Sequence, residues 1–202
     1  MLPNREQTEQ VLVPCLRIIG NVSTGSNEHL QYLFSLNLPS ILSSLLDDKW
    51  KKSIRKDVCW ILSNLASGTN EHVQVLINNA ALMNKLLTLL REDGDEVRSQ
   101  VVITVSNMAD EGNKETLYSF LREVNFVALL GECLNVKGSK LLLGNCLESL
   151  ECVLKVGDMF MEDGRNMMLV ALYNHIEKIE QLQAHPSTII STRALQILSN
   201  YF

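Results

Sequence analysis

The chain has 202 residues, with 18 Lys+Arg against 23 Asp+Glu, a net charge of −5, and a hydrophobic fraction of 46%. That is long enough to bury a sizeable core and too apolar for a disordered chain, yet it holds no run of about 18 apolar residues to span a membrane. The acidic balance disfavours non-specific nucleic-acid binding and favours basic partners.

The start, Met1 to Gln7, has no basic segment leading into an apolar stretch, so it does not read as a secretory signal. Five cysteines (Cys15, Cys59, Cys133, Cys146 and Cys152) form no Cys-x-x-Cys pattern and read as reduced thiols of an intracellular protein. A first helix is expected over Thr8 to Ser23, before Gly25. Farther on, Glu71 to Asn78 suits a short helix. Leu82, Leu86, Leu87, Leu89 and Leu90 mark a second, ended by Asp93-Gly94-Asp95, and Val97, Val101, Val102 and Val105 fit a longer third.

These elements repeat. Gly20-Asn21-Val22-Ser23-Thr24-Gly25-Ser26-Asn27-Glu28-His29 aligns with Ser63-Asn64-Leu65-Ala66-Ser67-Gly68-Thr69-Asn70-Glu71-His72, and a third copy begins Ser106-Asn107-Met108-Ala109. Asn21, Asn64 and Asn107 stand 43 residues apart. A weaker fourth copy puts Cys152 where the Asn stood, and Arg193 to Phe202 lies about one period beyond. A period near 43 with three helices per unit is the armadillo arrangement. The expected architecture is an all-α, right-handed armadillo-repeat solenoid. Its units are a partial first repeat over 1–24, repeats over 25–68, 69–111 and 112–157, and a capping repeat over 158–202. The first unit lacks two of its helices, so one face of the remaining helix is expected to miss its usual neighbours. Either the chain starts mid-repeat or a partner covers that face.

Third helices line one continuous surface in such a stack, so a residue repeated once per unit becomes a ladder. Asn21, Asn64 and Asn107 form one. An Asn amide both donates and accepts, and can pair with the backbone of an extended peptide whatever its sequence. Asp57, Trp60 and Asn64 fall at i, i+3 and i+7, on one helix face. A Lys or Arg can lay its methylenes on that indole and send its charge to Asp57.

Asp57-Val58-Cys59-Trp60-Ile61-Leu62-Ser63-Asn64 resembles the Glu-Ala-Cys-Trp-x-x-Ser-Asn signature of the importin alpha (karyopherin alpha) family. Cys15 to Asn21 with Thr24-Gly25 is similar to that family's sixth repeat, where Arg replaces Trp. Ser149 to Gly157 is similar to its ninth, and Ile176 to Phe202 to its tenth.

The resemblance implies an adaptor for nuclear localisation signals that works between cytoplasm and nucleus, with no cofactor. Its minor groove for a basic signal peptide would run over Arg17, Asn21 and Thr24, then Asp57, Trp60 and Asn64. At the third rung Asn107 is kept, but Gln100 stands where the family has Glu and Ile103 where it has Trp, which predicts weakened binding or a shifted register. The last repeat would contribute to docking an export receptor. The family's major groove and its basic importin-beta-binding segment are absent from these residues. An armadillo scaffold with a degenerate groove, serving other protein–protein interactions, is the alternative. No constellation for an enzyme or a metal site is found, and His29 and His72 read as surface residues.

Overall fold

The computed structural model describes residues 5–135 and 137–202. Residues 1–4, which hold most of the segment read for a secretory signal and the start of the expected first unit, lie outside the described residues, as does Val136. The described residues form α-helices and no strand. One long helix comes first, α1 (Arg5–Ser23). Then follow α2 (Asn27–Ser35), α3 (Leu38–Ser43) and α4 (Lys52–Ala66), and α5 (Asn70–Ile77), α6 (Ala80–Glu92) and α7 (Asp95–Glu111). The chain continues through α8 (Lys114–Glu123), α9 (Phe126–Cys133) and α10 (Lys140–Asp158), and closes with α11 (Met161–Tyr173), α12 (Ile176–Leu182) and α13 (Thr188–Tyr201).

Local chemistry sets the breaks between helices. The orphan amides of a helix start need acceptors. The Oδ1 of Asn79 accepts from Leu82 N at 3.1 Å, and that of Asn113 from Thr116 N at 3.0 Å. At α2 and α5 a histidine does the complementary job. The Nδ1 of His29 accepts from Ser26 N, and that of His72 from Thr69 N, each at 3.1 Å. Asn37 and Asn125 adopt left-handed backbone (φ 54° and 50°), so α2 and α8 turn sharply into α3 and α9 without a glycine.

Packing then stacks like on like. The long helices α1, α4, α7, α10 and α13 lie side by side in that order, with α3, α6 and α9 stacked beside them. A helix flanked on both sides must be apolar nearly all round. Ile54, Val58, Ile61, Leu62 and Leu65 of α4 are accordingly fully buried, as are Val97, Val101 and Val102 of α7. Beyond its first turn and a half, what remains open on α4 is a narrow strip through Asp57, Trp60 and Asn64, all half-buried. At the first end of the stack Val11 of α1 is 65% exposed and Ile18 63%.

Candidate functional site

The candidate residues fall on three adjacent helices. Arg17 and Asn21 lie on α1 and are exposed, with Thr24 exposed just past its end. Asp57, Trp60 and Asn64 are half-buried on α4, and Gln100, Ile103 and Asn107 half-buried on α7. Because α1, α4 and α7 pack in succession, the three sets form neighbouring rungs of one wall.

The amides have a second employment that sequence spacing did not reveal. The Nδ2 of Asn64 donates to Ser23 Oγ on α1 at 3.0 Å, and that of Asn107 donates to Ser63 O on α4 at 2.9 Å. The ladder therefore ties α4 to α1 and α7 to α4. The Ser23 hydroxyl passes the chain on, donating to Gly20 O at 2.7 Å. Each bond uses one amide proton. The second proton and the Oδ1 make no hydrogen bond among the described residues, so each amide keeps one donor and its whole acceptor for a ligand. Among the described residues no long helix packs ahead of Asn21. Its carbonyl oxygen accepts from Thr24 Oγ1 at 2.8 Å, and its amide is exposed.

Trp60 leans toward α1. A methyl group added at Gly20 would overlap the six-membered ring of the indole, so the ring rests on that glycine. This is a close approach that only Gly permits. One repeat on, Ser63 stands where Gly20 stood and Ile103 where Trp60 stood. The larger residue beneath goes with the smaller residue above. Asp57, in the turn before Trp60, enters no ion pair among the described residues. The rung thus presents an indole, an uncompensated carboxylate and the free part of an amide.

Other expectations need correction. His72 is not a surface residue: it is 3% exposed. Its ring stacks on Phe34 (centroids 4.5 Å apart, planes 5° apart), and its Nε2 lies 3.0 Å from Gln31 Oε1. Since Nδ1 accepts from the Thr69 amide, Nε2 carries the proton and donates to Gln31. Burial lowers the pKa of the ring, partly opposed by Glu71. No group of three or more His, Cys, Asp or Glu that would hold a metal occurs among the described residues.

The sequence reading also missed what Asp93 does. It ends α6 as expected, but its carboxylate also accepts from Arg55 Nε of α4 at 2.6 Å and from Gly94 N at 2.7 Å. Burial would raise its pKa, and these bonds bring it below the usual carboxylate value.

The long-helix wall and the row of α3, α6 and α9 stacked beside it define an armadillo-repeat α solenoid. An Armadillo/beta-catenin-like repeat model matches residues 26–67, the span of α2 to α4. The relatives found are importin alpha subunits. Importin subunit alpha-1a of Oryza sativa subsp. japonica is 30% identical over 199 residues, covering 95% of this chain and 37% of its own length. Importin subunit alpha-8 of Arabidopsis thaliana is 30% identical over 197 residues, covering 95% and 44%. The resemblance to importin alpha thus runs along nearly the whole chain, while the chain spans well under half the length of these relatives. Among solved structures, a designed armadillo repeat protein is 25% identical with a TM-score of 0.76, covering 93% of this chain and 74% of that one. A second, solved in complex with peptide (KR)4, is 23% identical with a TM-score of 0.65, covering 100% and 95%; at that identity the likeness concerns fold alone.

Proposed function

We propose that this chain is an importin-alpha-like adaptor segment that holds an extended basic peptide, of the nuclear-localisation-signal class, along the wall formed by α1, α4 and α7. The observation that carries the reading is the α4 rung, where Trp60, Asp57 and the free part of the Asn64 amide share one strip. A Lys or Arg would lie across the indole with its charge at Asp57, while the amide pairs with the peptide backbone. Arg17, Asn21 and Thr24 extend the strip on one side and Asn107 on the other. At α7, Gln100 and Ile103 provide neither a carboxylate nor an indole, so the third rung contributes backbone pairing alone. In this reading the chain is an adaptor rather than an enzyme and serves import between cytoplasm and nucleus. The repeats fall at 25–68, 69–111 and 112–157, and the capping unit at 158–202 docks the export receptor. Importin beta would be engaged by a segment other than these residues.

The weakened third rung favours one competing reading, a degenerate groove whose armadillo surface serves other partners. Titrating a fluorescent Lys/Arg-rich peptide against wild type, Trp60→Ala and Asn64→Ala separates the two. Loss of a cation–indole contact and of a half-buried hydrogen bond, each about 1 kcal/mol, predicts roughly fivefold weaker binding per substitution. Equal affinity for all three chains would leave the degenerate groove standing.

A further inference from the structure

Beyond the third rung the wall carries carboxylates again, but they are already occupied. Arg193 of α13 reaches back to α10, where its Nη2 lies 3.2 Å from Glu148 Oε2 and its Nη1 3.4 Å from Glu151 Oε2. The two acceptors are three residues apart, hence on one helix face. All three side chains are partly open to water, at 55% for Glu148, 24% for Glu151 and 27% for Arg193. The pair with exposed Glu148 contributes little to stability, so folding accounts for the half-buried Glu151 partner and leaves the second carboxylate unexplained.

Its position suggests a use. Cys152, one turn after Glu148, is pushed up to about 11 by burial and by the Asp110 carboxylate of α7 beside it. Asp110 follows Asn107 by one helical turn. In the repeat register Cys152 stands where Asn107 stood and Glu148 where Ile103 and Trp60 stood, and α10 packs directly on α7, so Glu148 continues the strip of Asp57, Trp60, Asn64 and Asn107 onto the next long helix. An open depression of about 440 Å³, bounded by Glu151, Thr188, Ile189, Thr192, Arg193 and Gln196, lies at the same place. The two ends of the strip differ: Asp57 has no ion-pair partner among the described residues, whereas Glu148 and Glu151 share a guanidinium from within the chain.

We infer that Arg193 is a built-in stand-in for a ligand cation, filling the acidic position on α10 that a Lys or Arg of a bound peptide would otherwise take. It thereby ends the run of the peptide along the wall at Asn107. This inference rests on the groove reading and adds a specificity-determining residue to it. Discrimination of this kind acts by denying a longer basic peptide its next contact, since the site is already satisfied.

Long helices pack 8–10 Å apart, so one further rung requires about three more residues of extended peptide. The test compares a short Lys/Arg peptide with the same peptide lengthened by three residues including an Arg, at either end, by fluorescence anisotropy. With wild type, lengthening improves affinity less than twofold. With Arg193→Gln, the longer peptide binds about three- to tenfold tighter than the short one, and adding Glu148→Gln and Glu151→Gln removes the gain. Arg122→Gln, an exposed residue of α8, makes the same net-charge change and gives no gain. Arg193→Lys keeps the charge but gathers it on one compact ammonium without the two-pronged reach of the guanidinium, and gives a smaller gain in the same direction. Unchanged length preference in both Arg193 variants, with the short peptide still bound by wild type, overturns this inference alone. An equal gain from Arg122→Gln also overturns it. Failure of every chain to bind either peptide overturns it together with the groove reading.

Discussion

Substituting Gly20 by Ala tests the geometry of the α4 rung through two opposed effects. Gly20 lies near the end of α1 with ordinary negative φ, so Ala would normally stabilise the helix, by up to about 1 kcal/mol in an interior and less so close to the end. The new methyl would, however, overlap the Trp60 ring. An indole is rigid, and forcing such a ring out of a packed position costs about 1–3 kcal/mol. The overlap should win, with net destabilisation of about 0.5–2 kcal/mol and a displaced indole. Urea unfolding of Gly20→Ala and Gly20→Ala/Trp60→Leu, each in a Trp50→Phe background, reads both. The single variant loses stability and its tryptophan emission shifts to the red, and the second substitution relieves the loss. A stabilised Gly20→Ala with unchanged emission would show that the ring does not rest on α1.

Three further outcomes follow from other contacts. The pKa of His72 is lowered by burial in the folded state, so the unfolded chain takes up a proton first as pH falls below about 6.5. The contribution of His72 is thus complete above that pH and lost progressively below it. Melting temperatures at pH 7.5 and 5.5 should diverge less in His72→Gln than in wild type, and an identical divergence would refute the assignment. Asp93→Ala strands a guanidinium whose side chain is 15% exposed and costs about 2–3 kcal/mol, while Asp93→Ala/Arg55→Met recovers most of it in denaturant melts. Additive losses would exclude their coupling. Cys15 is exposed, Cys59, Cys133 and Cys146 are buried, and the half-buried Cys152 thiol is pushed up to about 11, so native protein treated with a thiol reagent should show one fast-reacting cysteine, Cys15 by mass mapping. Rapid labelling of Cys59 or Cys146 would contradict the packing.

The stack was legible because period is carried by composition. The 43-residue spacing of Asn21, Asn64 and Asn107, with the valines of α7 and leucines of α6, specified the helical pattern before any contact was known. Contacts made across one period were not legible. The hydrogen bonds Asn64 to Ser23 and Asn107 to Ser63 join residues 41 and 44 apart, and nothing in either local segment announces them. His72 was misjudged for a related reason. Its loop-proximal place suggested the surface, yet Phe34 and Gln31 of the preceding unit cover it, whereas its counterpart His29 has no such cover among the described residues and is exposed. The same difference separates exposed Asn21 from half-buried Asn64. Position in the stack, more than residue identity, decided burial. Gly20 and Trp60 are the exception in hindsight, since a Gly–Trp pair giving way to a Ser–Ile pair one period on is a complementary size change written in the sequence.

The central claim is that an extended basic peptide lies across the Trp60 indole. Trp50 supplies an internal reference, because its Nε1 donates to Ser44 O at 3.1 Å and lies outside the proposed groove. Titration of 15N-labelled protein with a Lys/Arg peptide should move the Trp60 indole N–H resonance and leave that of Trp50 in place. A saturating titration that moves Trp50 alone, or neither, would contradict the account.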